Sequence, residues 1–219
     1  MKKYKILNLY ACLGGNRAKW DEVADIEVIA VELDPELARL YKERFPNDIV
    51  IIADAHQYLL DHYKEFDFIW SSPPCPTHSR VRFTQKNKDF YVPQYPEMSL
   101  YQEVIFLENH FKGKYCVENV IPYYDLLIPG YKRGRHIYWT NFIIPHELNE
   151  RNNKGIIGSS LDEVNKLCEF HEIDLSTYKG EQRVNKIARN LVDYEVGKTI
   201  LETALGIIKK QNIKQTELF

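Results

Sequence analysis

The stretch ILNLYACLGGN, residues 6–16, decides the fold that the sequence predicts. A β-rich apolar run, Tyr4–Tyr10, leads into a turn at Gly14-Gly15, as at the start of an α/β unit. Glycines at such a turn let the backbone come close to a bound nucleotide. Acids end the next two predicted strands, at Glu32 and Asp54. They can hold ribose hydroxyls and an adenine amino group, which favours a nucleoside site, although many α/β domains have acids at strand ends.

Strand and helix patterns alternate over the first two thirds of the chain. The predicted strands are Tyr4–Tyr10, Glu27–Glu32, Asp48–Ala53, Phe66–Ser71 and Tyr115–Glu118. The predicted helices are Asn16–Ala24, Pro35–Arg44, Ala55–Tyr63 and Ser99–Phe111. Ser99 with Gln102 has the pattern of a capping box. The alternation predicts an α/β fold with a mostly parallel sheet, helices on both faces and ligands beyond the carboxyl ends of the strands.

The remaining segments are less regular. Residues 78–98 predict a long, mobile loop, and residues 149–158 are rich in Asn and Gly. A strand-like run covers Arg135–Ile144, and a helix is predicted from Gln182 to Lys210, with apolar positions that would close the domain.

Composition limits the class of protein. The chain has 219 residues, 44% hydrophobic and 27% charged, which is typical of one globular domain. Its apolar runs, such as residues 49–52, are too short to span a bilayer, and no signal h-region follows the basic N-terminus. The cysteines at 12, 75, 116 and 168 form no CxxC pair, so we expect free thiols in a reducing cytoplasm and no metal site.

The net charge of −2 argues against general binding of polyanions but leaves room for a local basic face. Candidates for such a face are Arg80, Arg82, Lys86, Lys88, Lys132, Arg133 and Arg135. Each cluster could equally be a solvated surface.

The segment SSPPCPTHSR, residues 71–80, follows the fourth predicted strand. Paired prolines stiffen the backbone and present the next side chain, Cys75, at a fixed angle. Such a cysteine is either a buried spacer or a nucleophile. Its proline, histidine and arginine neighbours favour exposure and a lowered thiol pKa.

The segment YCVENV, residues 115–120, is a strand that ends in an acid followed by an amide. Because parallel strands end at one edge of the sheet, Glu118 should emerge beside Cys75. A nucleophile and a carboxyl acid in one pocket suit addition of a thiolate to a ring carbon with protonation of a ring nitrogen.

These segments, in this order, resemble the cytosine-5 DNA methyltransferases, particularly small phage and prophage-type members. The resemblance covers roughly residues 5–142 and 183–208. The matching motifs are the turn Tyr10-Ala11-Cys12-Leu13-Gly14-Gly15, Pro74-Cys75 with Ser79, Glu118-Asn119-Val120, Arg133-Gly134-Arg135 and Asn190-Leu191-Val192. The chain departs from the family where Cys12 replaces a usual glycine, Asn8 a common acid and Pro76 a frequent amide.

The resemblance implies a Rossmann-like methyltransferase fold, S-adenosylmethionine as cofactor and a set of residue roles. Cys75 would add to C6 of a flipped cytosine, Glu118 would hold its N3 edge, and Arg133 or Arg135 its carbonyl. The implied cofactor-binding residues are Tyr10, Ala11, Leu13, Gly14, Gly15, Glu32, Leu33, Asp54, Ala55, Pro73, Asn190 and Val192. The implied DNA contacts are Ser79, Arg80, Arg82 and Asn119, with the loop after Pro76 closing over double-stranded DNA.

The resemblance also divides the chain. Residues 1–142 and 183–210 would form the catalytic domain, residues 143–182 a small target-recognition insertion and residues 211–219 a flexible tail. The tail ends in QTELF, Gln215–Phe219, which resembles the peptide that docks on the bacterial sliding clamp, unless its apolar end folds back.

Three alternatives remain open at this point. A tRNA cytosine-5 methyltransferase shares the same motifs. An amino-group methyltransferase also has a Ser-Pro-Pro strand end, but an aromatic residue usually follows there instead of Cys75. A degenerate DNA-binding protein would keep the fold without activity, and only Cys12 supports it.

Overall fold

The computed structural model describes residues 2–80, 84, 86–89, 91–153, 155–156 and 162–207. Within them, seven strands form one sheet: β1 (Tyr4–Leu9), β2 (Ile26–Glu32), β3 (Ile49–Ile52), β4 (Phe68–Ser71), β5 (Lys114–Val120), β6 (Tyr131–Arg133) and β7 (His136–Thr140). Their order is β3-β2-β1-β4-β5-β7-β6. The first five are parallel, whereas β7 runs antiparallel to both β5 and β6. The predicted Rossmann-like, mostly parallel sheet is confirmed.

The helices of the described residues are α1 (Pro35–Arg44), α2 (Ala55–His62), α3 (Ser99–His110), α4 (Glu163–His171), α5 (Val184–Arg189) and α6 (Tyr194–Ala204). Two carboxylate side chains cap the N-termini of helices at the edge of the sheet where the parallel strands end. Asp34 accepts hydrogen bonds from the backbone N–H groups of Glu36 and Leu37, and Asp54 accepts one from Gln57. These caps satisfy otherwise unpaired donors and fix the turns after β2 and β3. No helix among the described residues is long and apolar enough to cross a membrane.

Both faces of the sheet are buried because alternate residues of the central strands point to opposite sides. On β1, Leu7 and Leu9 pack in a cluster with residues of α2 and α3, whereas Ile6 packs in a cluster with residues of α6. The near-continuous apolar run of β1 is therefore the signature of a strand covered on both faces.

The predicted helix Asn16–Ala24 is wrong, because this segment forms turns with only a short 3-10 helix at Trp20–Glu22. Side chains hold it against other elements: Asn16 Nδ2 donates to Asn8 Oδ1 at 2.8 Å, and Arg17 Nε donates to Asp48 at 2.7 Å. These tertiary contacts override local helix propensity.

The predicted capping box at Ser99 is also wrong. Ser99 is the first residue of α3, Met98 is the N-cap, and no side chain caps that end. Instead, Glu97 Oε1 accepts a hydrogen bond from Ser99 N at 3.2 Å. The polar side chain that binds the start of this helix is therefore two residues before Ser99.

The C-terminal region differs most from expectation. The single helix predicted from Gln182 is two helices, α5 and α6, separated at residues 190–193, where Asp193 caps α6 by accepting from Glu195 N. The strand predicted over Arg135–Ile144 is shorter, and the Arg-Gly-Arg motif forms the tight turn between β6 and β7, with Gly134 at φ +52°. Helix α4 was not predicted.

Candidate active site

A cavity of about 800 Å³ lies at the carboxyl ends of the parallel strands. This volume falls in the range of small-molecule sites, roughly 300–1,000 Å³. The predicted site residues that line it are Tyr10, Glu32, Leu33, Asp54, Ala55, Pro73, Cys75, Glu118, Asn119, Arg135, Asn190 and Val192. The structure thus brings the end of β1 and the residues after β4 and β5 to one space. We call the part around Glu32 the carboxylate end and the part around Cys75 the thiol end.

At the carboxylate end, two backbone N–H groups hold Glu32. The N–H of Cys12 donates to Oε2 at 2.8 Å, and the N–H of Asp34 donates to Oε1 at 3.0 Å. Burial raises the pKa of Glu32, while these hydrogen bonds oppose the shift by favouring the charged form. Because each carboxylate oxygen can accept a second hydrogen bond, Glu32 remains able to bind hydroxyl groups from the cavity.

The turn after β1 is shaped by close packing. A Cβ on Gly15 would lie 2.5 Å from the carbonyl oxygen of Val192, and a Cβ on Gly14 would lie 2.6 Å from the ring of Phe45. The turn therefore rests directly on the break between α5 and α6. Cys12 lines the cavity and has φ +47°, a left-handed conformation that residues other than glycine rarely adopt. This backbone conformation explains why glycine is usual at that position.

At the thiol end, the carboxylate of Glu118 lies near Cys75. Ser72 Oγ donates to Glu118 Oε2 at 3.0 Å and itself accepts from Trp70 Nε1 at 2.8 Å. Burial and the charge of Glu118 raise the pKa of the Cys75 thiol, and the charge of Lys186 opposes them. The expectation of a lowered thiol pKa is therefore wrong, because the proline-flanked loop leaves Cys75 only partly exposed beside a carboxylate.

Hydrogen bonds tie the segment that carries Cys75 to the segment that follows β5. Asn119 Nδ2 donates to the carbonyl of Pro73 at 2.8 Å, and the N–H groups of His78 and Ser79 both donate to the carbonyl of Cys75 at 3.0 Å. The buried His78 ring in turn pairs with the hydroxyl of Tyr124. The position of the thiol is thus fixed from both sides along the chain.

The C-5 cytosine-specific DNA methylase family model matches residues 4–121, more than half of the chain. The chain belongs to this family. Membership implies S-adenosylmethionine as the methyl donor. No curated protein sequence matches the chain.

Solved structures give more distant similarities. A DNMT2 variant from Spodoptera frugiperda is 26% identical over 53% of this chain and 35% of that one, with a TM-score of 0.38. A hypothetical protein from Thermus thermophilus is 19% identical over 63% of this chain and 74% of that one, with a TM-score of 0.41. A TehB-like SAM-dependent methyltransferase from Corynebacterium glutamicum is 18% identical over 53% and 55%, with a TM-score of 0.34. The chain spans about a third of the DNMT2 structure's length.

Only one arginine of the Arg-Gly-Arg motif lines the cavity. Arg135 does so, whereas Arg133 Nε donates to the carbonyl of Pro145 at 2.7 Å and its guanidinium lies 5.5 Å from the ring centre of Tyr131. Alternation along the short hairpin does not decide which arginine faces the cavity, since Gly134 turns the backbone between them.

Several predicted contact residues have other positions. Four residues predicted to bind the cofactor are buried in the turn after β1 and do not line the cavity: Ala11, Leu13, Gly14 and Gly15. Ser79 forms a β-bridge with Pro122, and Arg80 Nε donates to the carbonyl of Pro122 at 3.3 Å. Arg82 lies outside the described residues, as does part of the predicted loop 78–98.

The segment 162–182 covers the carboxylate end. Leu167 of α4 and Leu175 pack in one cluster with Leu13 and residues of α1. Tyr178 Oη and Gln182 Nε2 both donate to Asp34 Oδ2, at 2.9 and 3.0 Å. This part of the predicted target-recognition insertion therefore borders the cavity from the side of α1.

Sequence reasoning missed cavity residues that include Asp34, His136, His171, Gln182 and Lys186. Asp34 precedes Pro35 at the start of α1, and this helix-start signal could have identified it. His136 and His171 carry no such local signal, since their positions depend on strand pairing and on the packing of α4.

Proposed function

We propose that this chain is an S-adenosylmethionine-dependent DNA (cytosine-5)-methyltransferase that uses Cys75 as its nucleophile. One observation carries the proposal: Cys75 and Glu118 line the same cavity as Glu32 and Asp54. A thiol and a carboxyl group that can act on a cytosine ring therefore lie in the same cavity as carboxylates suited to bind a nucleoside. This arrangement lets one cavity hold a methyl donor and a cytosine together.

The residues of the carboxylate end suit the cofactor. Glu32, held by two backbone N–H groups, would accept the ribose hydroxyls, and Asp54 would meet the adenine amine. Tyr10 would lie against the adenine, since its hydroxyl donates to the buried Glu103 at 2.6 Å and so fixes the ring at the cavity wall. Asn190 would lie near the methionine end. When bound, S-adenosylmethionine supplies an electrophilic methyl group.

At the thiol end, the thiolate of Cys75 would form a bond to C6 of cytosine, while the C5–C6 electron pair moves to C5. Glu118 would give a proton to N3 as negative charge develops on the ring, and Arg135 would hold the base carbonyl. As C5 takes the methyl group, the donor sulfur of S-adenosylmethionine would leave as a neutral thioether. Return of the N3 proton to Glu118, loss of the C5 proton to a base and expulsion of the thiolate would then restore the aromatic ring.

The substrate we favour is double-stranded DNA with the cytosine turned out of the helix, because a base within the stack cannot reach a thiol in a cavity. Arg80, which is exposed, and Arg82 would contact the phosphate backbone of the DNA. The family description favours DNA over tRNA. We also propose a cytoplasmic location and docking on a sliding clamp through Gln215–Phe219, which lie outside the described residues.

Trapping on DNA that contains 5-fluorocytosine tests the proposal. Fluorine at C5 cannot leave as a proton does, so a covalent complex of protein and DNA should accumulate when S-adenosylmethionine is present. The complex should be absent with Cys75→Ser and present with Cys168→Ser. If the cofactor binds but no Cys75-dependent complex forms on DNA, the proposal is wrong, and a complex formed on 5-fluorocytosine tRNA alone would identify the tRNA alternative.

A further inference from the structure

A histidine outside the family motifs lies beside the proposed acid. His136 Nε2 is 3.6 Å from Glu118 Oε1. The antiparallel pairing of β5 with β7 places Val120 opposite His136 and Glu118 opposite Tyr138. Glu118 and His136 are thus diagonal neighbours on one face of the sheet, within reach of long side chains. His136 also lines the cavity.

The two oxygens of Glu118 have different partners. Oε2 accepts from the hydroxyl of Ser72, a neutral donor, whereas Oε1 faces an imidazole that can carry a positive charge. The side chain of Glu118 is only 8% exposed and that of His136 is 23% exposed, so water screens this pair less than a surface pair. The other charged residues that line this part of the cavity are Arg135, which precedes His136, Glu150, and Lys186, whose charge favours the thiolate of Cys75.

A positive charge beside the Glu118 carboxylate would favour the reactive form of Cys75. The thiolate is the reactive form of cysteine, and a carboxylate nearby opposes its formation. Burial and the charge of Glu118 both raise the pKa of Cys75. A cation paired with Glu118 would reduce the repulsion without removing the acid that the base requires.

We propose that His136 is a positioning residue that acts through Glu118: its imidazolium pairs with Oε1, holds the carboxylate and offsets its charge, so that the Cys75 thiolate forms more readily. This inference deepens the proposed function and rests on it, because it concerns the nucleophile assigned there.

Thiol alkylation tests the pairing without DNA or cofactor. The full chain is treated with iodoacetamide at about pH 6, and the Cys75 peptide is followed by mass spectrometry. His136→Gln should slow alkylation of Cys75 about threefold to tenfold, since the thiolate fraction changes tenfold per pKa unit. His136→Arg keeps a positive charge and should preserve the rate. Cys168 is the internal reference, and His146→Gln, at an exposed position, is the matched control.

A double-mutant cycle separates this role from a structural one. Glu118→Gln removes the charge and should speed alkylation of Cys75, and adding His136→Gln should then change nothing further. A general loosening of the hairpin would act equally in both backgrounds. Thermal melting checks that each variant is folded, and His136→Phe provides a second substitution without a donor.

Equal Cys75 alkylation rates in the wild type and His136→Gln would overturn the inference. So would an effect of His136→Gln that persists in the Glu118→Gln background. Failure of the 5-fluorocytosine trap would instead count against the proposed function, and the alkylation cycle would still report whether His136 is coupled to Glu118.

Discussion

At the carboxylate end of the cavity, Glu32 accepts hydrogen bonds from two backbone N–H groups, whereas at the thiol end Glu118 is held by side chains, Ser72 at 3.0 Å and His136 at 3.6 Å. Backbone N–H groups do not ionise, and they move only when the main chain moves. A hydroxyl can rotate, and an imidazole can gain or lose a proton.

The difference suggests a division of tasks. The carboxylate end is set by packing: the glycine turn touches the backbone of Val192, and segment 162–182 covers it through Asp34. The thiol end holds Cys75, the proposed nucleophile, whose pKa is raised, so its reactivity depends on nearby charge. We therefore expect substitutions at the thiol end to change the rate of chemistry and those around the carboxylate end to change stability.

The largest expected effect is at the thiol. Cys75→Ser should reduce methyl transfer at least about a thousandfold, because serine is a far weaker nucleophile at neutral pH. Binding of S-adenosylmethionine, measured by calorimetry, should change less than about threefold, since the affinity should come from the carboxylate end.

Cys168→Ser is the control, because Cys168 is a partly exposed thiol that does not line the cavity. It should leave both the rate and the affinity close to those of the wild type. Loss of cofactor affinity in Cys75→Ser would break the proposed separation between the two ends.

The paired arginines give the next largest effect. Arg135→Ala should lower the rate of methyl transfer about tenfold to hundredfold, the usual value of a hydrogen bond from a charged group. Arg133→Ala should lower it less than about twofold, because that side chain binds the carbonyl of Pro145. Single-turnover rates on a cytosine-containing duplex measure both. Equal losses in the two variants would show that the hairpin turn acts as a unit.

The packing around the carboxylate end should respond to acid through His171. Burial, aided by the charge of Arg151, lowers the pKa of His171 to about 4. A folded state that binds the proton less readily than the unfolded state loses stability as pH falls. The stability due to neutral His171 is thus fully present above about pH 6.5 and declines toward pH 4, by about 2.5 kcal/mol at pH 4.5.

His171→Phe should remove this part of the pH dependence, since the buried Nδ1 makes no hydrogen bond and an apolar ring can replace it. Urea unfolding at several pH values measures the effect, and His146→Phe, at an exposed site, should unfold like the wild type. His78, whose pKa is also lowered by burial, contributes a decline of the same sign in all three proteins. If the free energy of unfolding of His171→Phe depends on pH as strongly as that of the wild type, His171 is not the source of this pH dependence.

The sequence predicts what local patterns encode. Alternating strand and helix periods gave the parallel sheet, and parallel strands end at one edge, which placed Cys75 and Glu118 together. Non-local packing decides the rest. Asp34 binds Tyr178, 144 residues away, and His136 reaches Glu118 only through the register of the antiparallel hairpin. The raised pKa of Cys75 cannot be predicted from the sequence for the same reason, since neither burial nor the direction of the Glu118 side chain is visible in the residues beside it.

The smallest expected effect concerns Cys12, where the turn after β1 meets the cavity. With φ at +47°, any residue with a Cβ is strained there, and glycine is not. Replacing cysteine by glycine or by alanine removes the same sulfur. The difference in the free energy of unfolding between the two variants therefore measures the cost of a Cβ at this φ. Cys12→Gly should therefore be about 1 kcal/mol more stable than Cys12→Ala, the reverse of the usual preference for alanine.

Urea unfolding of the two variants measures this difference. Gly155 also has a positive φ, +82°, but a Cβ there would meet nothing within 4 Å, so Gly155→Ala reports strain without packing. It should be destabilised by a similar amount. If Cys12→Ala is as stable as Cys12→Gly, the turn does not hold the left-handed conformation, and the carboxylate end is less rigid than its hydrogen bonds indicate. If glycine is the more stable, cysteine stands there at a cost to stability, and the Cys12 N–H bond to Glu32 explains how the turn still keeps its shape.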